Sequence, residues 1–478
     1  MRPSSRVLAP QMLIEEARNL KGSGFRLMTI TFSGDTQLRV VHYIFASFEK
    51  SVDPLVDIVI KVEVGLRIRI PSLREVFYVA KRFEEDLEHD SDGEVTFDTR
   101  SIQLRKELVP PIDEGVTQIP VGPVHAGVIE PGYFCFSVIG ESILNLDIEL
   151  GFLSRGVEEA FIGRKIDDAL RVAEHVTGDS VIAHGLALLQ AFESCLSSEA
   201  GETERVKRSL LLELERVSNH ISDLGALAND AALSIANTQA QRVRETLSGI
   251  NYRLTGHRVL RNALNSNETI LFEKPPTSLI EKVKSEVEAL CQLIEGHGIA
   301  RDRMRGTGVL SQFNAELLST YGYVARASNH TCDIRRYFPY NQLEGEYSEV
   351  VETSGDVLGR FRIRRREVAS SLKLIQEYLD YLQSCDIPAN HGDESVSPNR
   401  LPIEIHPSRA GFGCVEGWRG ATCYFIEVDD DDRIKTIKVT DPSVNNWAAL
   451  PIALQDAIVP DFPIINKSFN QSYAGNDL

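Results

Sequence analysis

Between residues 204 and 229 the chain sets Val206, Leu210, Leu214, Val217, Ile221, Leu224 and Ala228 three and four positions apart, the period of one long amphipathic helix. A stripe of this kind must bury its apolar edge against other elements. The neighbouring sequence supplies them: residues 279–295 and 364–382 repeat the pattern, and the stretch from about 158 to 382 is helical in character. Strand-like sequence flanks it. Residues 132–150 predict a β-hairpin turning at Gly140-Glu141-Ser142, and residues 421–428 pair with 433–439 across Asp429-Asp430-Asp431-Asp432. That acidic turn lacks the spacing and glycine of a calcium loop and is expected to be solvated.

Ahead of the helical region, residues 1–107 predict a smaller α/β domain. Residues 25–32, 38–46 and 56–64 are β-rich, with a tight turn at 33–36 in which Gly34 is free to take positive φ. After Pro71, Ser72 and Glu75 have capping-box spacing and predict a helix running through Phe77, Val79, Phe83 and Leu87. The acidic stretch 84–92 is expected to face solvent. Residues 108–121 contain Pro110, Pro111 and Pro120, which resist helix and central strand alike, and predict a linker. The fold class expected is α+β: this small α/β N-terminal domain, then a mainly helical domain over 122–478 with flanking antiparallel strands.

Composition narrows the function. A net charge of −18 argues against nucleic acid as a partner. No stretch approaches the roughly 20 apolar residues of a membrane span, and the first 20 residues lack the apolar core of a secretory signal. The seven cysteines form no C-x-x-C pair, and an odd number in a large chain favours a reducing compartment over a disulfide framework. A loop is expected between the nearest two, Cys414 and Cys423. There is no P-loop and no G-x-G-x-x-G after a strand. Asp179, Ser180 and His184 could be grouped as a hydrolase triad, but no G-x-S-x-G elbow accompanies them.

A series of motifs then carries a resemblance. In order they are Gly122-Pro123-Val124-His125-Ala126-Gly127-Val128-Ile129-Glu130-Pro131-Gly132, Arg155-Gly156-Val157-Glu158, and Glu215-Arg216-Val217-Ser218-Asn219-His220 with Asp223-Leu224-Gly225-Ala226. Arg253-Leu254-Thr255-Gly256-His257-Arg258, Gly306-Thr307-Gly308-Val309-Leu310, Arg326-Ala327-Ser328, Val415-Glu416-Gly417-Trp418-Arg419-Gly420 and Asp441-Pro442-Ser443 follow, and the tail runs from Asp461 to Asn470. Collinear over some 350 residues, they resemble the large subunit of membrane-bound nickel–iron hydrogenases of the formate hydrogenlyase type and the related 49-kDa subunit of complex I. The N-terminal part is similar to the 30-kDa-type complex I subunit, fused in front. There Pro71-Ser72-Leu73 fits, while Phe83-Glu84-Glu85-Asp86 replaces the usual acidic-aromatic motif.

In the hydrogenases two C-x-x-C motifs supply four thiolates to the metals. The matching positions here are Thr177, Ser180, Ser472 and Gly475. Soft thiolates select such a centre, and neutral hydroxyls are hard donors, so no metal ligand is expected. A different metal on Asp179 and His184 lacks a compact ligand motif. In complex I the vacated cavity binds a quinone headgroup through a histidine and a tyrosine, and the ungapped match places Ile129 and Gly178 there. His125 and Tyr133 are the candidate substitutes, with Ser180 and Ser472 lining the same cavity. Glu158 matches the family's proton-relay glutamate, although Arg155 and Glu158 can equally cap or pair at a helix start. The resemblance gives catalytic candidacy to Glu158, His184 and Arg419, and keeps His220, Asp223, Arg326 and Asp333 as further polar residues. His220 and Asp223, three apart, could face one another.

The function implied is that of a subunit of a membrane-associated, energy-converting oxidoreductase complex. It would have an iron–sulfur small subunit and antiporter-like membrane subunits as partners, and lie peripherally on the cytoplasmic face of the inner membrane. Electron transfer from the iron–sulfur cluster of the partner to quinone or another acceptor is one reading; a non-catalytic scaffold coupling partner to membrane arm is the other.

Overall fold

The computed structural model describes residues 3–34, 38–49, 54–63, 67–99, 115–125, 130–273, 275, 277–385 and 409–478. The fold is α+β. Four strands, β1 (Ser4–Val7), β2 (Phe25–Gly34), β3 (Leu38–Ser47) and β4 (Leu55–Glu63), form a sheet of order β1-β4-β3-β2. β1 runs parallel to β4 and the other pairs are antiparallel. The turn expected at 33–36 falls partly outside the described residues.

The sheet's three long strands, β2 to β4, are buried on both faces, as their near-continuous apolar sequence requires, while β1 is an exposed edge. Val41, Tyr43 and Phe45 pack with Leu13, Ala17, Phe77 and Phe83 on one side. The alternate residues Ile44 and Ala46, with Met28 and Phe48, pack on the other against Phe412, Cys423 and Phe425 of the C-terminal strands and Tyr321 and Ala325 of the helical part.

The helix expected from Ser72 begins later, at Ala80, and spans Ala80–Asp90. Ser72 and Glu75 form no capping box. Glu84, expected at the surface, is instead fully buried, and its carboxylate accepts hydrogen bonds from Ser72 Oγ at 2.8 Å, the Leu73 amide at 2.7 Å and Arg74 Nε at 2.8 Å. The helix thus folds back on the segment before it, and the turn 72–79 is held by a charge from within the helix.

Two parallel strands, β5 (Ile68–Pro71) and β6 (Val95–Asp98), complete the N-terminal part. Residues 100–114, which include the first half of the expected linker 108–121, lie outside the described residues. Its end is not linker: Thr117–Val121 forms β7, which pairs with β8 (Tyr133–Ile139), and β8 pairs with β9 (Ser142–Glu149). Pro120 is tolerated because β7 is an edge strand.

The helical part is built on Glu202–Asp230, packed against Val357–Ser384 and Ser234–Thr255, with Thr277–Gly296 beyond them. The apolar stripe from Val206 to Ala228 is buried throughout. The helix Val181–Leu196 is apolar on nearly all sides, and three antiparallel strands, β10 (Ala410–Glu416), β11 (Ala421–Val428) and β12 (Ile434–Thr440), lie over it. β10 was not expected from sequence. Its glycines explain it: a Cβ on Gly411 or Gly413 would collide with the carbonyl oxygens of Ala191 and Ala187, so only glycine lets the strand touch the helix.

Candidate functional site

The two altered motifs meet. The helix Val181–Leu196 starts directly after Ser180, and the chain ends in the loop after the helix Phe462–Phe469. Two arginines stitch these segments together. Arg155 donates to the carbonyl oxygens of Val176 at 2.6 Å and Ala474 at 3.2 Å. Arg419 makes a bidentate ion pair with Asp179, 2.7 Å on each arm, and gives Nε to the Asn470 carbonyl at 2.8 Å. Arg419 also lies over the Trp418 ring, 4.0 Å from its centroid. Both residues sit in the 417–420 turn between β10 and β11.

The residues at the four thiolate positions do not fit a nickel–iron centre. The Ser180 hydroxyl accepts the indole N–H of Trp418 at 3.0 Å. The Ser472 hydroxyl accepts the backbone N–H of Gly475 at 2.9 Å, while its carbonyl accepts Trp447 Nε1 at 3.2 Å. Thr177 Oγ1 is buried with no hydrogen-bond partner among the described residues. At Gly475 a Cβ would stand 2.6 Å from Asp441 Cγ, so the space a cysteine side chain would need there is filled by Asp441. Among the described residues no group of three or more His, Cys, Asp or Glu is placed to hold a metal ion.

Asp441 is tied to His184, whose Nε2 stands 3.3 Å from Asp441 Oδ2 and whose Nδ1 is 3.0 Å from the Tyr424 hydroxyl. His184 is fully buried. Burial works to raise the Asp441 carboxyl, but the His184 bond and the charges of His184 and Arg419 outweigh it and hold it below its ordinary value. Asp179, Ser180 and His184 therefore do not form a triad, since Asp179 turns to Arg419 and His184 to Asp441. Glu215 accepts the amides of Ile182 at 2.6 Å and Ala183 at 3.1 Å, capping the start of that helix. Burial, reinforced by nearby Asp179, pushes its carboxyl up to about 8.

Glu158 lies on the short helix Val157–Phe161 and is held by β12, accepting the Val439 amide at 2.8 Å and Lys438 Nζ at 3.2 Å. Burial raises its carboxyl above the ordinary value against the opposing charge of Lys438. Lys438 also reaches Asp90, 3.2 Å away at the end of the N-terminal helix. His220 and Asp223 do not face one another. His220 Nε2 is 2.8 Å from Glu367 Oε2, and Asp223 pairs with Arg364 at 3.1 Å and accepts Asn470 Nδ2 at 2.8 Å.

Of the expected cofactor contacts, Tyr133 is the half-buried first residue of β8, and His125 Nε2 is 2.7 Å from the Gly132 carbonyl. Ile129 lies outside the described residues. Gly178 takes φ +74 with open space around it, a backbone conformation a tyrosine would adopt only under strain.

Arg326 and Asp333, kept as polar residues by the resemblance, belong to a buried ion network whose other members the sequence did not single out. Arg326 contacts Glu367 and Glu416 at 2.7 Å and Asp333 at 3.3 Å, all fully buried. Arg335 grips Asp333 at 2.7 Å and Glu213 at 2.9 Å, and Arg216 adds a second cation at 3.1 Å from Glu213. The signal was present as charged residues inside the apolar period of helix 202–230, namely Glu213 and Arg216. Sequence reasoning missed as well a Ser33–His42–Asp57 chain in the N-terminal sheet, with contacts of 2.8 and 2.9 Å. Ser33 is only 5% exposed and the His42 ring packs 4.8 Å from Phe425, so this chain is enclosed between two sheets.

The family assignment follows from these motifs in this fold. The chain belongs to the family of the 49 Kd subunit of respiratory-chain NADH dehydrogenase, whose model matches residues 231–477. It is 27% identical over 356 residues to the C/D subunit of the NADH-quinone oxidoreductase of Phocaeicola vulgatus, covering 73% of this chain and 66% of that protein. It is 26% identical over 396 residues to formate hydrogenlyase subunit 5 of Escherichia coli, covering 80% of this chain and 66% of the relative. Against the carbon monoxide-induced hydrogenase of Rhodospirillum rubrum the figures are 26% over 362 residues, 74% and 96%. The chain thus spans slightly less than two thirds of the first two relatives. The membrane-bound sulfane sulfur reductase, an archaeal respiratory membrane complex, contains a chain of the same fold, with a TM-score of 0.66 at 22% identity over 77% of this chain and all of that one. Among the described residues no helix is long and apolar enough to cross a membrane.

Proposed function

We propose that this chain, with residues 1–107 and 122–478 as its two parts, is a subunit of a membrane-associated, energy-converting oxidoreductase complex in which the old metal locus is a closed scaffold. It would lie peripherally on the cytoplasmic face, between an iron–sulfur small subunit and antiporter-like membrane subunits. The observation that carries this reading is the filling of the locus from within: Asp441 occupies the space beside Gly475, and the Ser180 and Ser472 hydroxyls are engaged by Trp418 and the Gly475 amide. Glu158 and His184 then serve the frame through Lys438 and Asp441. A second reading, electron transfer from the iron–sulfur partner to quinone or another acceptor, is favoured by Asp179, whose side chain is 40% exposed beside the buried Arg419 and would present a charged rim to an acceptor.

The test is purification of the intact complex, with nickel quantified and quinone reduction assayed. Substoichiometric nickel and no quinone reduction are expected. Stoichiometric nickel would overturn both readings. Quinone reduction that is lost in Glu158→Gln, with all subunits still assembled, would replace the scaffold by the acceptor site.

A further inference from the structure

The loop expected between Cys414 and Cys423 is the 417–420 turn, and the strands it joins make the two cysteines direct cross-strand partners in β10 and β11. The register decides which kind of partners. Gly417 and Gly420 exchange both backbone hydrogen bonds, N to O at 2.8 and 3.1 Å. Counting back by alternation, Val415 faces Thr422 in a hydrogen-bonded pair and Cys414 faces Cys423 in a non-hydrogen-bonded one. The Cys414 amide agrees with this by turning away from β11 to Gln190 Oε1 at 3.1 Å. In such pairs the Cα atoms stand about 4.5 Å apart, within the span a disulfide bridges. The two sulfurs are 3.1 Å apart, so bonding them needs a closure of about 1 Å.

We propose that Cys414 and Cys423 are a modification site: a dithiol that a hydroperoxide converts reversibly to a cross-strand disulfide. Cys414 is the entry point. It is half-buried and lines a cavity of about 30 Å³ with Ala46, Leu55, Gln190, Phe338 and Phe412, whereas Cys423 is 1% exposed. A cavity of that size admits a molecule about as large as water, which suits hydrogen peroxide and excludes bulky disulfides. The Cys414 thiolate attacks one peroxide oxygen, the O–O bond breaks, and hydroxide leaves to become water, giving a sulfenic acid. The Cys423 sulfur then attacks the Cys414 sulfur; the S–S bond forms, the S–O bond breaks, and the Cys423 proton leaves with the second water. The two thiols lose two electrons and the peroxide becomes two waters. A dithiol reductant reverses the bond. Burial and the adjacent thiol push the Cys414 thiol well above its ordinary value, so oxidation is slow at neutral pH and quickens as pH rises. The crosslink ties together the two strands whose connecting turn delivers Trp418 and Arg419 to Ser180 and Asp179.

The test uses the native full-length chain. After hydrogen peroxide treatment, thiols are alkylated under denaturing conditions without reduction, and tryptic peptides are weighed. Cleavage after Arg409, Arg419 and Arg433 puts Cys414 and Cys423 on separate peptides. Expected is one crosslinked peptide, two hydrogens lighter than its halves together, which dithiothreitol resolves, while buried Cys291 and Cys332, whose thiols burial pushes up to about 12, stay alkylatable. The proposal is overturned if both thiols stay free while half-buried Cys385 oxidises, or if Cys414 is over-oxidised with Cys423 untouched.

Discussion

Replacing Arg335 by Met would expose what holds the middle of this molecule together. Arg335 is 3% exposed and forks onto Asp333, Nε to Oδ1 at 3.0 Å and Nη2 to Oδ2 at 2.7 Å, while Nη1 reaches Glu213 at 2.9 Å. Burial opposes the ionised Asp333, but Arg335 and Arg326 outweigh it and hold the carboxyl at about 2. Methionine fills similar volume without charge, leaving Asp333 buried beside Arg326, which is already shared by Glu367 and Glu416. The carboxyl then neutralises by taking a proton. For an unfolded aspartate near 3.9 and 1.36 kcal/mol per pH unit, that costs about 4 kcal/mol at about pH 7 and about 1.5 at about pH 5. The first figure agrees with the roughly 3–5 kcal/mol for breaking a buried pair.

The signs are opposite in the two proteins. In the wild type the depressed Asp333 contributes stability that is complete above about 3.9 and is lost only as pH falls towards 2, so this pair changes little between pH 5 and 7. In the variant the carboxyl is raised, and its contribution is lost as pH rises. Urea unfolding of both chains at the two pH values measures the difference. A deficit under about 1 kcal/mol at pH 7, or one that does not shrink by about 2.7 kcal/mol between pH 7 and about pH 5, would refute the reasoning.

Two further outcomes follow. Gly475→Ala forces a methyl against Asp441 and should lower stability by about 1–3 kcal/mol in thermal unfolding; a neutral result would mean that Asp441 moves aside freely and that the locus is open. Glu215→Gln should flatten the pH dependence of stability between about 4.5 and about 8, because the wild-type carboxyl, raised to about 8, contributes fully below its unfolded value and loses that contribution as pH climbs; parallel curves for the two proteins would contradict it.

The elements that declared themselves in sequence are those with an internal period. The 202–230 helix and the β8–β9 and β11–β12 hairpins need only local alternation to be read. β10 was invisible because Ala410-Gly411-Phe412-Gly413 is chosen for contact with a helix over 200 residues earlier, and those glycines carry no strand signal of their own. The start of the Ala80–Asp90 helix was misplaced for a related reason: Glu84 satisfies the turn at Ser72, a bond that no capping rule anticipates. At the site, the identity of the four substituted positions was legible, and so was their chemistry. Their partners were not. Asp441, 257 residues beyond His184 by subtraction, and Lys438, 280 beyond Glu158, are brought near by the fold and leave no trace in local spacing.

The double burial of the N-terminal sheet has a consequence for how the chain can be divided. Met28, Ile44, Ala46 and Phe48 share a core with Phe412, Cys423 and Phe425, so neither half owns its surface. A protein cut after residue 99 would present the outer face of β10 and β11 to water, a sticky plane suited to aggregation, and the freed sheet would do the same. The N-terminal sheet therefore acts as a cover over a face that the C-terminal strands cannot bury by themselves.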